Sequence, residues 1–168
     1  MRVVIGSVVK GFALKSAVKD WLQAHGHEVI DVGPPDTSVF VKFTSVAERA
    51  ARVLQEGAAE FGVLCCGSGT GMALAAGKFR GISAVSCENL LTAELARKIN
   101  DANVLCMGES IVAPDTACRM VEVFLTTRFQ DAPGIPQPVL DFWAEARDEI
   151  MARGDTAQDR PLETLSQP

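Results

Sequence analysis

FGVLCCGSGTGMALAAGK, residues 61–78, runs from an apolar stretch through three glycines at alternate positions and on into a helix-forming segment. FGVLCC at 61–66 is short and apolar, which reads as a buried strand, and a helix is expected over 71–79. A strand that turns through glycines directly into a helix is the opening of a β-α-β unit. The same alternation recurs on both sides of it. RVVIG at 2–6, EVIDV at 28–32, ISAV at 82–85 and NVLCM at 103–107 read as further strands. Helices are expected over 11–25, 44–58, 88–101 and 114–129. In the first of these, Phe12, Leu14, Val18, Trp21 and Leu22 approximate one face, and Gly26 suits the C-terminal cap. The spacing predicts a three-layer α/β fold: a parallel five-stranded sheet, order 2-1-3-4-5, with helices on both faces.

The α/β domain is expected over residues 1–130. DAPGIPQP then marks a break, and 131–153 reads as a linker plus a C-terminal helix whose Val139, Leu140, Trp143, Ile150 and Met151 suit a subunit interface. Residues 154–168, polar and proline-containing, are expected to be disordered. The 168 residues are 48% hydrophobic and 22% charged, the balance of a globular chain rather than a disordered one. No apolar run is long enough to span a bilayer and the N-terminus does not read as a secretory signal, so the expected location is the cytoplasm. A net charge of -5 disfavours nucleic acid and anionic membranes as partners. Two histidines, His25 and His27, and no tyrosine leave acid–base chemistry short of its usual residues.

Five cysteines, none in CxxC spacing, argue against a structural zinc site or a disulfide framework. Cys87, Cys106 and Cys118 read as small buried hydrophobes. Cys66 differs, because it stands at the lip of the glycine loop. Open α/β sheets bind ligands beyond the carboxyl ends of their strands, where the winding reverses, here between strands 1 and 3. The loops at that point are Ser7–Gly11 and Gly67–Gly71. Counting excludes two nucleotide motifs: five residues, not four, separate Gly71 from Gly77-Lys78, and the glycines lack the third small residue of the dinucleotide fingerprint. What remains is a nest of backbone N–H groups suited to an anion, with a thiol beside it. A cysteine just before a helix N-terminus is disposed to ionise near neutrality, as nucleophile, redox group or base.

IGS…GF-LK near the start, G-EVIDVG at 26–33, CGSGTGM-LAA-K at 66–78 and NDANVL-MG at 100–108 together resemble the ribose-5-phosphate isomerase B family, with the galactose-6-phosphate isomerase subunits. The resemblance covers about residues 2–130. It implies a flavodoxin-like fold, a homodimer or dimer of dimers, no metal or organic cofactor, and aldose–ketose interconversion of sugar phosphates through a cis-enediolate. It makes Cys66 the base, with Ser68 and the Gly67–Gly71 backbone, including Gly69 and Thr70, cradling the developing oxyanion. Asn100 becomes a contact to a substrate hydroxyl.

The departures cluster at substrate-binding positions. Family members usually carry Asp-His where this chain has Val8-Val9 after Ser7, and Asp-Tyr-Pro where it has Lys42-Phe43-Thr44. Ile99 replaces the ring-opening histidine, Ser110 replaces an arginine, and the Gly-Arg-His…Arg phosphate grip is absent. Without a proton donor at position 99 a cyclic sugar would open slowly. A tetrose 4-phosphate cannot close a furanose ring because O4 is esterified, so a short, linear sugar phosphate or sugar acid is the expected substrate class. Lys10 and Lys42 are the expected replacement anion grips. Two other readings stay open: a cysteine-bearing half-site completed by a related second subunit, and a non-catalytic sugar-phosphate-binding protein.

Overall fold

The computed structural model describes residues 1–156. The elements run β1 (Arg2–Ser7), α1 (Phe12–Ala24), β2 (Glu28–Asp31), α2 (Phe43–Gln55), β3 (Phe61–Cys66), α3 (Thr70–Ala76), β4 (Ala84–Ser86), α4 (Leu90–Asn100), β5 (Val104–Gly108), α5 (Pro114–Thr126) and α6 (Gln137–Ala152). All strand pairs are parallel. The three-layer α/β class is as expected, but the sheet order is β2-β1-β3-β5-β4, not 2-1-3-4-5. Burial explains the exchange. Every residue of β5 is buried, whereas β4 has three residues, all half-buried, which suits an edge. The winding still reverses between β1 and β3, so the expected site position is unaffected.

Strand alternation sends successive side chains to opposite layers. Val3, Ile5, Val63, Cys65, Leu105 and Met107 pack under α1, α4 and α5, where Phe124 is the largest fully buried side chain. Val4, Leu64, Cys66, Val104 and Cys106 pack under α2 and α3 with Val46, Ala50 and Met72. Cys65 and Cys66 therefore face opposite layers, as expected of neighbours in a strand. No helix among the described residues is long and apolar enough to cross a membrane.

Two charged clusters tie the layers together. Lys15, 2% exposed, spans Asp31 Oδ2 at 3.0 Å and the Pro34 carbonyl at 3.2 Å. Burial pushes the Asp31 carboxyl up, but hydrogen bonds from Lys15 and the Gly33 N–H outweigh it and hold the group below its ordinary value. A lowered folded-state value means this contribution is present above the unfolded carboxyl's titration range and is lost as pH falls through the folded one. Asp31→Ala should cost about 2 kcal/mol, the part-exposed carboxylate softening the penalty of stranding a buried ammonium. Urea unfolding at neutral pH checks the cost, and the acid-limb slope should flatten in the variant.

The second cluster anchors α6. Arg97 lies over the Phe61 and Phe124 rings and donates to Asp101 at 2.6 Å, and Asp101 also accepts from Arg147 of α6 at 3.0 Å. No α6 side chain is fully buried. Beyond it the Asp155 N–H donates to Lys78 O and Asp155 O accepts from Arg80 N, so the chain is held two residues past the point where the sequence suggests a free tail. The rest of that expected tail, residues 157–168, lies outside the described residues.

Candidate active site

β3 delivers Cys66 to the carboxyl edge of the sheet with 7% of its surface exposed. The chain then turns through Gly67, Ser68 and Gly69 into α3. Gly69, at φ 82°, makes the reversal, and a Cβ there would meet the Ser86 hydroxyl at 2.8 Å. Its N–H donates to Cys66 Sγ at 3.1 Å, so the loop delivers a backbone donor to the sulfur. The Cys66 and Gly67 carbonyls are engaged by the N–H groups of Glu109 and Ser110, at 2.8 and 3.0 Å. Among the described residues, the Ser68, Thr70 and Gly71 N–H groups have no acceptor. Carbonyls tied down on one side and donors free on the other make this an electropositive cradle. Ser68 Oγ and Thr70 Oγ1 stand 2.7 Å apart over it.

Two glycines outside the loop permit this packing. A Cβ on Gly11 would lie 2.6 Å from the Cys65 carbonyl, and one on Gly108 would lie 2.6 Å from the Ser68 carbonyl carbon. Burial pushes the Cys65, Cys87, Cys106 and Cys118 thiols up, keeping them protonated. Cys87 and Cys106 are buried, as expected, and so is Cys65, whereas Cys118, expected to be buried, is half-buried.

The loops around the cradle bring several expected residues to it. The Lys10 stem passes over Gly67, with Cγ 3.4 Å from where a Cβ would stand, and its ammonium lies 3.5 Å from Glu109 Oε1. The Phe43 ring packs at 3.5 Å from the corresponding point on Gly71 and is 44% exposed. Exposed Lys42 precedes it at the start of α2. Val8 is half-buried in the α2–α3 layer, the side of Cys66. Ser7 is fully buried, and strand alternation turns its hydroxyl toward α1, away from Cys66.

Ile99 and Asn100 are not brought to Cys66 within one chain. They end α4, just ahead of β5, whose first residue Val104 pairs with Gly62 while its last, Gly108, pairs with Cys66. Four residues of strand place them at least about 13 Å toward the opposite edge of the sheet. His25 and His27 lie at that opposite edge too, between α1 and β2, with His25 stacked on Trp21 at 4.1 Å. The chain therefore places no imidazole beside its own Cys66. Glu109 escaped the sequence reading: its neighbours, Lys10 and Ala13, are remote in sequence, and only the register of β5 beside β3 signals its place.

The chain matches the model of the Ribose/Galactose Isomerase family over residues 3–135. It is 45% identical over 131 residues to a 4-deoxy-4-sulfo-D-erythrose isomerase of Clostridium sp. (strain MSTE9), covering 78% of this chain and 82% of that one. It is 30% identical over 137 residues to a D-erythrulose-4-phosphate isomerase of Pectobacterium atrosepticum, covering 82% and 90%. The solved structure of Clostridium thermocellum ribose-5-phosphate isomerase B superposes with a TM-score of 0.81 at 32% identity, over 90% of this chain and 95% of that one. A sheet of this order, a cysteine at the end of β3 and a match spanning nearly the whole described α/β unit agree: the chain is a sugar isomerase belonging to the ribose/galactose isomerase family.

Proposed function

We propose that the enzyme interconverts the aldose and ketose forms of a linear four-carbon sugar bearing a tetrahedral anion, sulfonate or phosphate, on C4. The observation that carries this is the pairing of a donor-backed Cys66 with a site that lacks an imidazole. Cys66 as thiolate removes the C2 proton of the aldose. The C–H electron pair forms the C1–C2 double bond, and negative charge moves to the carbonyl oxygen. The free N–H groups of Ser68, Thr70 and Gly71 suit that oxygen, each such donor being worth about 3–4 kcal/mol in a transition state. The O2 proton passes to O1, and Cys66, its thiol proton exchanging in part with solvent while the enediolate is held, returns a proton to C1, giving the ketose. The Gly69 N–H, 3.1 Å from the sulfur, holds Cys66 in place beside the cradle through the cycle.

Ring opening requires a proton donor and acceptor at the ring oxygen, and Ile99 supplies neither. A C4-substituted tetrose has no furanose to open, which fits the four-carbon substrates in the names of two relatives. Lys10 and Lys42 are the proposed grips for the terminal anion. Activity on a C4-anionic tetrose should exceed that on ribose 5-phosphate by at least about 100-fold in kcat/KM, the range lost with an acid–base group. Equal or greater activity on ribose 5-phosphate would overturn the four-carbon reading.

We further propose that the working form contains a second copy of the chain. Phe40 and Leu74, 70% and 71% exposed, flank Phe43 and Gly71 with an apolar surface unusual for a monomer. Only a neighbouring subunit could present Ile99 and Asn100 to a Cys66 loop, and α6, with Val139 and Phe142 exposed, offers a further contact face. A monomer mass by light scattering would contradict this. The half-site and non-catalytic readings predict, respectively, activity only with a related second chain and no turnover at all.

A further inference from the structure

We propose that Glu109 sets the charge preference of the terminal-anion grip, making the enzyme selective for a singly charged sulfonate over a doubly charged phosphorus anion. This rests on the four-carbon reading above and names the substrate class within it. Glu109 follows β5 directly and is fixed by the scaffold from two sides. Its N–H donates to the Cys66 carbonyl at 2.8 Å, and its Oε2 accepts the Ala13 N–H at 3.1 Å, at the start of α1. Its Oε1 faces Lys10 Nζ at 3.5 Å. The carboxylate side chain is 23% exposed and the lysine 68%, so the acid is the seated member of the pair and the lysine the one that can swing.

Lys10 runs over Gly67, beside the cradle that receives the reacting end of the sugar. An anion drawn to Lys10 therefore always meets the Glu109 charge behind it. Counting formal charges, Lys10 and Lys42 contribute two positive charges and Glu109 removes one. Ser110, the next residue, adds none. A net single positive charge matches a sulfonate. A phosphate or phosphonate, carrying close to two negative charges when ionised, leaves one uncompensated beside a fixed carboxylate.

Glu109 also caps α1, which has no side-chain cap of its own and no acidic residue in its first turn. A purely structural role would change stability and leave the choice between equally shaped substrates unmoved. Glu109→Gln separates the two roles, because the amide oxygen can still accept the Ala13 N–H while the charge is gone. The probes are 4-deoxy-4-sulfo-D-erythrose and its 4-phosphono isostere, assayed in mildly alkaline buffer with the full chain. The unmodified enzyme should favour the sulfonate at least about tenfold in kcat/KM. In Glu109→Gln that ratio should fall at least about fivefold, through a lower KM for the phosphono substrate.

Lys10→Gln provides a second arm should Glu109→Gln fold poorly. It leaves the carboxylate without its cation and should raise the sulfonate preference by a similar factor. A ratio unchanged in a folded Glu109→Gln, or an unmodified enzyme that prefers the phosphono sugar, would overturn the assignment while leaving the four-carbon reading standing. No turnover by the unmodified enzyme of either probe, nor of erythrose 4-phosphate, would overturn both.

Discussion

Cys66→Ala should lower kcat for aldose–ketose interconversion by about three orders of magnitude, the usual contribution of a positioned general base. The loss should be confined to chemistry. Cys66 is a small side chain at the rim of the α2–α3 layer, and deleting its sulfur leaves the Val4, Leu64 and Met72 packing in place. The stability cost should be about 1 kcal/mol or less, comparable to removing a methyl group. Cys66→Ser should lose nearly as much activity as alanine, because a hydroxyl is far less ionised than a thiol near neutrality. Initial rates on a C4-anionic tetrose, with thermal melts of each variant, check both halves. A drop in rate of less than about tenfold in a folded Cys66→Ala would remove the cysteine from the role of base.

Gly108→Ala should damage activity and stability together. The new Cβ would stand 2.6 Å from the Ser68 carbonyl carbon, 2.7 Å from its Cα and 2.8 Å from the Gly67 carbonyl oxygen. All three are backbone atoms, so no side chain can rotate to make room. The loop must lift off β5, which breaks the bonds from the Glu109 and Ser110 N–H groups that turn the Cys66 and Gly67 carbonyls away from the cradle. Overpacking of this kind costs about 1–3 kcal/mol in stability. Displacing even one oxyanion donor costs about 100-fold or more in kcat. Chemical denaturation and kcat on the same preparation measure both. Wild-type activity in a folded Gly108→Ala would mean the loop's position against β5 is not what assembles the cradle.

The alternation of strands and helices was legible because Val- and Ile-rich runs such as RVVIG and EVIDV are bounded by amphipathic segments and glycines. The order of the last two strands was not read correctly, although its cause lies in composition. NVLCM is a denser apolar run than ISAV, and the denser run takes the central place beside β3. The Cys66 loop could be read because its chemistry is local: one strand, three glycines and one helix start. Glu109 could not, since its effect arises where the end of β5 meets the β1–α1 loop about a hundred positions earlier in the chain. Ile99 and Asn100 show the converse. Motif position alone places them with the site, but a helix that leaves the carboxyl edge after β4 must end at the other edge before β5 begins.

Hydrogen exchange at the reacting carbons bears most directly on the claim that Cys66 moves a proton through an enediolate. The full chain would be incubated in D2O with 4-deoxy-4-sulfo-D-erythrose, and separately with erythrose 4-phosphate, and the products read by NMR. Deuterium should enter C1 of the ketose and C2 of the recovered aldose with at least one of the two, and should be absent with Cys66→Ala. Ketose formed undiminished by Cys66→Ala, or exchange that persists undiminished in that variant, would contradict it.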